Sequence, residues 1–302
     1  MEAIASRAKP VLAEYVAMTL FVYVGCGSVF SFSQEDSLDK LAIALAFGLS
    51  ITSLAYTVGH VSGGHMNPIV TIGACILKQL DLMSGVLYII AQLLGSVTAA
   101  LLLSLGLVNE NNSISDVVNG INRSTITPAG AFVMEAILSF LLVYVVTETV
   151  INKKSGAGNC APIAIGIAVF MAHIVAIPFT GCSINPARSF GPAVVSGNLK
   201  DLWMFFVAPI TGGVLAALSG KYIFGVLDKN IKVVIGEEKL HYDSLLTPVT
   251  DTGTVIEDAK DTRDNIKEPV PTLSESRRGE CSFPISMAPL DEEGLELNCE
   301  TP

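Results

Sequence analysis

Six long apolar runs constrain the fold of this chain more than any other feature. The runs are Val11 to Phe32, Leu41 to Val58, Leu82 to Val108, Ala129 to Ile151, Ala161 to Pro178 and Leu202 to Leu227. Each is close to the roughly 20 residues that a helix needs to cross the hydrocarbon core of a bilayer. The composition agrees, because 51% of the residues are hydrophobic and only 15% are charged. The sequence therefore predicts an all-α membrane protein with six transmembrane helices.

An internal repeat relates the two halves of the chain. The first half contains Gly63 to Gly73 (GGHMNPIVTIG), and the second contains the similar Gly181 to Gly191 (GCSINPARSFG). The matched pairs are Glu14 with Glu135, Gly48 with Gly166, Asn67 with Asn185, Pro68 with Pro186, Thr71 with Ser189, and Gln92 with Pro209. Because each half holds three spans, an odd number, the second copy is inverted relative to the first.

A short apolar stretch follows each Asn-Pro pair. Ile69 to Leu77 and Ala187 to Val195 are too short to cross a bilayer, but they have the length of half-helices. Asn is a favoured helix cap, and Pro is favoured at the first helical position. We therefore expect two re-entrant half-helices whose positive ends meet at the midplane, with the amide hydrogens of Asn67 and Asn185 facing a lumen. The alternative, a pair of ordinary Asn-Pro turns, explains the inverted pairing less well.

The net charge of −10 comes from the end of the chain. Up to Lys232 there are 12 basic and 12 acidic residues, whereas 6 basic and 16 acidic residues follow. Residues 229–302 are rich in Pro, Ser and Thr and show little helical period, which predicts a disordered tail. An acidic tail argues against nucleic acid as a partner and against binding to an anionic membrane surface.

Basic residues beside the spans predict the orientation in the membrane. They gather on the side that bears both termini, which predicts that both termini are cytoplasmic. These residues are Arg7, Lys9, Lys78, Lys153, Lys154, Lys221 and Lys229. We expect a cytoplasmic N-terminus at 1–10, a membrane domain at 11–228 with repeats over 11–108 and 129–227, and a cytoplasmic tail at 229–302. Both the plasma membrane and the membrane of intracellular vesicles fit this organisation.

The paired motifs resemble those of the aquaporin family, also called major intrinsic proteins. The resemblance covers Val11 to Leu227 and rests on both Asn-Pro segments, on Arg188 after the second one, and on the membrane carboxylates Glu14 and Glu135. It implies six tilted helices and two re-entrant half-helices around one pore per subunit, with four identical subunits in a tetramer. It also implies passive permeation through a lipid bilayer, which requires no cofactor, no metal and no enzymatic chemistry.

The family separates water pores from glycerol pores at a constriction of four positions. By the resemblance, these positions are Phe47, His173, Cys182 and Arg188, a set that looks water-selective. A bulky ring and an imidazole opposite a guanidinium leave a narrow polar opening, and the fixed positive charge repels cations. The implied function is a channel that conducts water in single file and excludes protons and ions. The alternative is a channel for glycerol or another small neutral solute, but Ser189 stands where glycerol pores usually carry Asp.

Ile69 departs from the family pattern. The family motif is Asn-Pro-Ala, which Ala187 obeys in the second half, whereas Ile69 puts a branched side chain in the first. Overpacking commonly costs about 1 to 3 kcal/mol in a tight core. We therefore expect either that Ile69 shifts the first half-helix, which would change the pore diameter at the midplane, or that smaller neighbours accommodate it. A closed or non-conducting scaffold, or a transporter built on the same inverted repeat, therefore remains an alternative function.

Further residues have candidate roles in support and regulation. Glu14 and Glu135 are expected to accept hydrogen bonds from the re-entrant loops, with Pro68 and Pro186 starting the half-helices; a proton relay is the alternative role for the glutamates. The loop 152–159 is short, basic and rich in glycine, so it is a candidate cytoplasmic gate, as is the tail, and the alternative is a passive connector. The candidate gate residues are His65, Lys153, Lys154 and Ser155, of which Ser155 resembles a site for a basic-directed kinase.

Two Asn-X-Ser triplets lie in the loop between the two halves. Asn111 and Asn122 begin these triplets on the predicted outer side, so both are candidate glycosylation sites.

Overall fold

The structure, a computed structural model, describes residues 2–32, 36–108 and 112–223, with side chains from residue 7 onward. The candidate site Asn111, the tail 229–302 and the end of the sixth apolar run lie outside these residues. Within them, six helices have the length and the apolar composition to cross a membrane. The prediction of six spans is confirmed.

Eight α-helices form the described part of the fold. They are α1 (Glu2–Ser31), α2 (Ser37–Ser62), α3 (Pro68–Ile76), α4 (Leu82–Gly106), α5 (Pro128–Val146), α6 (Ala161–Thr180), α7 (Pro186–Ser196) and α8 (Met204–Tyr222). Short 3₁₀ turns lie at Ile114–Val117 and Gly158–Cys160, and α5 continues into one π-helical turn over Thr147–Ile151. The two short helices, α3 and α7, are the predicted half-helices, and they begin at Pro68 and Pro186 as expected.

The first helix is longer than the first apolar run. It begins at Glu2 rather than at Val11, so most of the predicted N-terminal segment 1–10 is helical. The residues before Pro10 include three Ala, one Arg and one Lys, which favour a helix whether or not they lie in a bilayer. Hydropathy marks where a helix is apolar, and helix propensity decides where it starts.

Helix packing follows the inverted repeat. The first span of each half packs on the third span of the same half, α1 on α4 and α5 on α8. Each half-helix packs on the third span of the opposite half, α3 on α8 and α7 on α4, while the second spans α2 and α6 pack on each other. These reciprocal contacts confirm the predicted inverted repeat of six spans and two half-helices.

A close crossing of α2 and α6 positions two aromatic side chains. A Cβ atom at Gly48 would lie 2.8 Å from the carbonyl oxygen of Gly166, and one at Gly166 would lie 2.6 Å from that of Gly48. Because neither position has room for a side chain, the two backbones approach directly. This approach lets Phe47 of α2 and His173 of α6 stack with ring centroids 4.1 Å apart.

Candidate pore and filter

Both half-helices begin with the same cap. The Oδ1 atom of Asn67 accepts a hydrogen bond from the backbone N–H of Ile69 at 3.1 Å. In the second half, Oδ1 of Asn185 accepts from the N–H of Ala187 at 3.1 Å and of Arg188 at 3.2 Å. Pro68 and Pro186 follow as the first helical residues, where the missing N–H costs no hydrogen bond. The expected Asn-Pro helix starts are therefore present in both halves.

The two capping amides also join the re-entrant loops to each other. The Nδ2 group of Asn67 donates to the carbonyl of Ile184 at 2.9 Å, and that of Asn185 donates to the carbonyl of Met66 at 2.8 Å. An NH₂ group has two hydrogens, so each amide uses one in this exchange and keeps one. The expectation that both hydrogens of each amide face a lumen is wrong, since half of this donor capacity holds the centre together.

The exchange depends on strained backbone at the two acceptor residues. Met66 has a φ of 47° and Ile184 a φ of 45°, in the left-handed region that side chains rarely occupy. Such a conformation persists only when surrounding contacts hold it. Here the N–H of each residue donates to a buried glutamate, and its carbonyl accepts from the opposite asparagine.

Two fully buried glutamates anchor the re-entrant loops. The donors to Glu14 are the Ser62 hydroxyl (2.7 Å), the N–H groups of His65 (2.8 Å) and Met66 (2.7 Å), and the Gln92 amide (2.8 Å). The donors to Glu135 are the Thr180 hydroxyl (2.6 Å) and the N–H groups of Ser183 (2.9 Å) and Ile184 (2.8 Å). Both carboxylates thus bind backbone that would otherwise be unpaired at membrane depth.

Gln92 has a role in this anchor that sequence reasoning missed. Its Nε2 group donates to Glu14 and also to the Thr71 hydroxyl, at 2.8 and 3.0 Å. Its buried Oε1 atom has no partner among the described residues. An amide side chain within an apolar run is the signal that marks such a residue, because polar groups inside a membrane usually have a function.

Three of the four predicted filter residues meet in one cluster. The rings of Phe47 and His173 are stacked with an interplanar angle of 21°, and the guanidinium carbon of Arg188 lies 5.2 Å from the centroid of Phe47. Cys182 is fully buried in the loop between α6 and α7, where its N–H donates to the Thr180 hydroxyl at 3.2 Å. We call these four residues the candidate filter.

A loop residue that sequence reasoning missed holds Arg188. The Nη1 group of Arg188 donates to the Asn119 side-chain oxygen at 2.7 Å and to the carbonyl of Val117 at 2.9 Å. The Asn119 oxygen also accepts from the Ser189 hydroxyl at 2.8 Å, and its amide donates to the carbonyl of Thr180 at 3.1 Å. Asn119 lies among many other polar loop residues, so no local pattern singles it out.

The cavities narrow sharply at the candidate filter. On the inner side, a cavity of about 370 Å³, called the inner cavity below, reaches His173 of the candidate filter. Its lining also includes His65, Asn67, Val70, Lys153 and Asn185. Beside Phe47 and Arg188 the next cavity measures only about 20 Å³. Four lining residues of this narrow cavity also line an outer cavity of about 610 Å³, namely Asp116, Val118, Ile177 and Gly181. Since one water needs roughly 10–15 Å³ of such space, the narrow cavity has the size of a single water molecule.

Ile69 lies away from these cavities. Its side chain is 1% exposed and is not part of the lining of the 370 Å³ cavity, whereas its neighbour Val70 is. A Cβ atom added to Gly213 of α8 would lie 2.9 Å from the Cβ of Ile69, so Ile69 packs where Gly213 leaves space. Of the two expectations for Ile69, accommodation by a smaller neighbour is the one observed.

The candidate gate residues are divided between the cavity and the loop. His65 and Lys153 line the inner cavity, and the His65 ring contacts the Thr71 hydroxyl at 3.1 Å. Lys154 is exposed, and the Ser155 hydroxyl accepts from the N–H of Ala157 at 3.1 Å within the loop. Neither Lys154 nor Ser155 lines the inner cavity.

The candidate glycosylation residue Asn122 is exposed at the outer cavity. Its side-chain oxygen accepts from the Ser124 hydroxyl at 2.5 Å, and its amide donates to the carbonyl of Pro178 at 3.3 Å.

Several known proteins with similar sequences are named aquaporins. Mouse aquaporin-1 is 40% identical over 224 residues, which cover 71% of this chain and 81% of the mouse protein. Human aquaporin-1 is 38% identical over 249 residues, which cover 78% and 90% of the two chains. Aquaporin FA-CHIP of Pelophylax lessonae is 40% identical over 227 residues, which cover 71% and 82%.

A solved structure and a family model agree with these relatives. The aquaglyceroporin of Plasmodium falciparum has a TM-score of 0.65 and 24% sequence identity, covering 74% of this chain and 99% of its own, so it supports the fold alone. The model of the major intrinsic protein family matches residues 2–219. The chain therefore belongs to the major intrinsic protein family.

Proposed function

We propose that the protein is a channel that conducts water passively in single file and excludes ions and wider solutes. The observation that carries the proposal is the cavity of about 20 Å³ beside Phe47 and Arg188, which has room for one water molecule. Glycerol has six heavy atoms and does not fit that space. The relatives named aquaporin-1 also support water as the permeant.

Polar atoms along the path are arranged to bind water one molecule at a time. The Nδ1 atom of His173 lies 2.8 Å from the carbonyl of Val169, and because a carbonyl only accepts, Nδ1 carries the hydrogen. The buried Nε2 atom has no protein partner among the described residues and is left for water. Deeper in, Asn67 and Asn185 each retain one amide hydrogen for the oxygen of a passing water.

Charge and dipoles oppose the passage of cations and protons. Arg188 places a fixed positive charge at the narrowest cavity, and its side chain is held by Asn119 and Val117. Asn67 and Asn185, which cap α3 and α7, each bond to the opposite re-entrant loop, so the partial positive charges of both helix N-termini act on the same stretch of the path. A water whose oxygen turns toward both asparagines donates its hydrogens outward, which interrupts a chain of proton transfers.

Water and glycerol flux measured on the same proteoliposomes tests this proposal. We expect osmotic water flux well above that of empty vesicles and glycerol flux close to theirs. A mercurial that binds the Cys182 thiol should reduce the water flux, with Cys182→Ser as the matched control that remains open. Water flux equal to that of empty vesicles would contradict the proposal, and glycerol flux comparable to water flux would favour the glycerol alternative.

The remaining parts of the assignment rest on the sequence and on family membership. We propose a homotetramer in the plasma membrane or in the membrane of intracellular vesicles, with a channel domain at 11–228 and both termini cytoplasmic. Many apolar side chains on the outer faces of the spans are exposed in the single chain, as expected for contact with lipid or neighbouring subunits. Chemical cross-linking in membranes tests the tetramer, and protease protection of sealed vesicles tests the orientation. Modification of Asn122 is tested by glycosidase treatment.

Regulation by the loop 152–159 is a further part of the proposal. Lys153 lines the inner cavity, and Ser155 is only two residues further along the chain. A change in loop conformation at Ser155 would therefore move the wall of the path at Lys153. A phosphate on Ser155 would add negative charge beside Lys153 and Lys154. Ser155→Glu should change the water flux relative to Ser155→Ala, and equal flux from both variants would contradict this part.

A further inference from the structure

An ion pair joins two outer loops of the protein. Arg123 of the loop before α5 makes two contacts with Asp201 of the loop before α8, with Nη2 to Oδ1 at 2.7 Å and Nη1 to Oδ2 at 2.9 Å. The Asp201 side chain is 9% exposed and that of Arg123 is 46% exposed. Two-point contacts of this kind fix both distance and orientation, unlike most surface ion pairs.

The same carboxylate also holds the loop backbone. The N–H of Ile121 donates to Oδ2 of Asp201 at 3.1 Å, and Nη1 of Arg123 lies 3.4 Å from the carbonyl of Ile121. The Ile121 side chain is buried in a small apolar cluster with Met204, Phe205 and other residues. Asp201 therefore fixes the backbone two residues after Asn119.

Asn119 and Val117 supply the acceptors that hold Arg188 in the candidate filter. The segment 117–123 thus has the filter contacts at one end and the Arg123–Asp201 pair at the other. Between them, the N–H groups of Gly120 and Asn122 donate to the carbonyls of Thr180 and Phe179 on the rim of the outer cavity. A shift of this segment would move both acceptors of the Arg188 guanidinium.

We infer that Arg123 and Asp201 are positioning residues of the filter, which set the location of Arg188 through the segment 117–123. Neither residue touches the permeant path at its narrowest cavity, so their effect is on selectivity rather than on the capacity to conduct. Loss of the pair lets Asn119 and Val117 move, and Arg188 then no longer holds the opening to the size of one water. This inference rests on the proposed water channel.

The test is the ratio of urea flux to water flux in proteoliposomes of the full chain. Arg123→Gln and Asp201→Asn should each raise this ratio by roughly threefold or more, since the pair is only partly screened by solvent. Arg123→Lys keeps the charge but loses the two-point contact, so its ratio should lie between those of the parent protein and Arg123→Gln. The double variant should resemble either single variant, because all three lack the same contact.

A matched control separates positioning from a general loss of structure. Arg7 forms an ion pair with Asp81 at 3.4 Å, and the cavity that these two residues line has no residue of the candidate filter in its wall. Arg7→Gln should leave the flux ratio unchanged even where it lowers the amount of folded protein. A fall of both fluxes in proportion in the Arg123 and Asp201 variants, with no change in ratio, would overturn the inference.

Hydrogen exchange gives a second readout that does not depend on conduction. Backbone amides of residues 117–123 should exchange faster in Arg123→Gln than in the parent protein, whereas those around Asn67 should not change. If the parent protein conducts no water, the proposed function fails, and the exchange rates still decide whether the pair holds the segment. Unchanged exchange at 117–123 would overturn the inference in either case.

Discussion

The two halves of the protein share one scaffold but differ in what surrounds it. Asn67 and Asn185 cap their half-helices alike and exchange hydrogen bonds with the opposite loops. The residues after each Asn-Pro pair differ. In the first half Ile69 packs on α8 and Val70 lines the inner cavity, whereas in the second half Ala187 is followed by Arg188, which lines the narrow cavity. The repeated residues thus build the centre, and the residues that break the repeat assign selectivity to the second half.

Removal of each glutamate anchor shows whether the two halves depend equally on it for stability, and it should lower the stability more than any other change considered below. Glu135→Ala leaves the N–H groups of Ser183 and Ile184 without an acceptor, which should cost about 3 kcal/mol or more of stability. Glu14→Ala should cost about 1 kcal/mol less, because the Gln92 amide, whose Nε2 contacts Glu14 in the parent protein, can rotate and present its unpartnered Oε1 to the vacated site. Thermal unfolding in detergent measures the difference.

Gln92 provides the control for that comparison. Pro209 stands at the matching place in the second half and offers no side-chain acceptor. Glu14→Ala combined with Gln92→Leu should therefore be as unstable as Glu135→Ala. Equal stability of the two single variants would show that Gln92 gives the first half no advantage.

Ile69 and Gly213 test whether the larger residue of the first half serves packing or closure. Gly213→Ala should destabilise the parent protein by about 1–3 kcal/mol, because its new Cβ would lie 2.9 Å from that of Ile69. In an Ile69→Ala background the Cβ of residue 69 remains, but loss of the γ and δ carbons gives the two helices room to adjust, so the same change should cost about 1 kcal/mol less. Unfolding midpoints of the four proteins give the coupling between the two positions.

Flux measurements on the same variants address the closed-channel alternative. Ile69→Ala should conduct water at nearly the rate of the parent protein per folded channel, since Ile69 does not line the cavity. A large increase in flux would mean that Ile69 obstructs the path after all.

Arg188 and Val70, which occupy matching positions of the repeat, test the selectivity of the second half. Arg188→Val places the first-half residue in the filter, and the ratio of glycerol to water flux should rise roughly tenfold. Val70→Ala is the control, because it removes two methyl groups from the wall of the inner cavity without changing the charge, and it should leave the ratio unchanged. If both variants behave alike, the narrow cavity does not determine selectivity.

The smallest of the expected effects is a difference between the ion pairs of the two halves in how stability depends on pH. The hydrogen bond from Arg123 lowers the pKa of Asp201, and hydrogen bonds from Ser84 lower the pKa of Asp81. A lowered carboxyl pKa contributes stability above the ordinary value of about 3.9, and this is lost as the pH falls through the lowered value. Besides Arg123, Lys200 contributes positive charge near Asp201.

The expected result follows from the burial of the two carboxylates. Asp201→Asn should lower the unfolding temperature at pH 7 more than Asp81→Asn, whose side chain is 54% exposed. The deficit of Asp201→Asn relative to the parent protein should be unchanged down to about pH 5 and should shrink in stronger acid. A deficit that grows with acid would reverse the assigned sign.

The parts of the fold that depend on local chemistry were predictable from the sequence. Span lengths, the inverted repeat and the Asn-Pro caps follow from hydropathy, counting and the hydrogen-bonding groups of Asn. The convergence of Phe47, His173 and Arg188 was expected only through the family resemblance. Asn119 and Asp201 could not be anticipated, because their partners lie far along the chain and nothing near them in sequence marks the contact. The packing of the Ile69 side chain likewise depends on the space that Gly213 leaves on α8, which is distant in sequence.

The reciprocal bonds between the re-entrant loops have the form of an interface between two like molecules. Asn67 reaches Ile184 while Asn185 reaches Met66, the pattern of i to j and j to i that a two-fold symmetric dimer shows. Neither half can complete its own centre, because each acceptor carbonyl belongs to the other half. Two separate half-chains inserted with opposite orientations would carry the donors and acceptors to form the same centre. Fusion of the halves keeps them at a fixed ratio and leaves each free to diverge, as Arg188 and Ile69 have done.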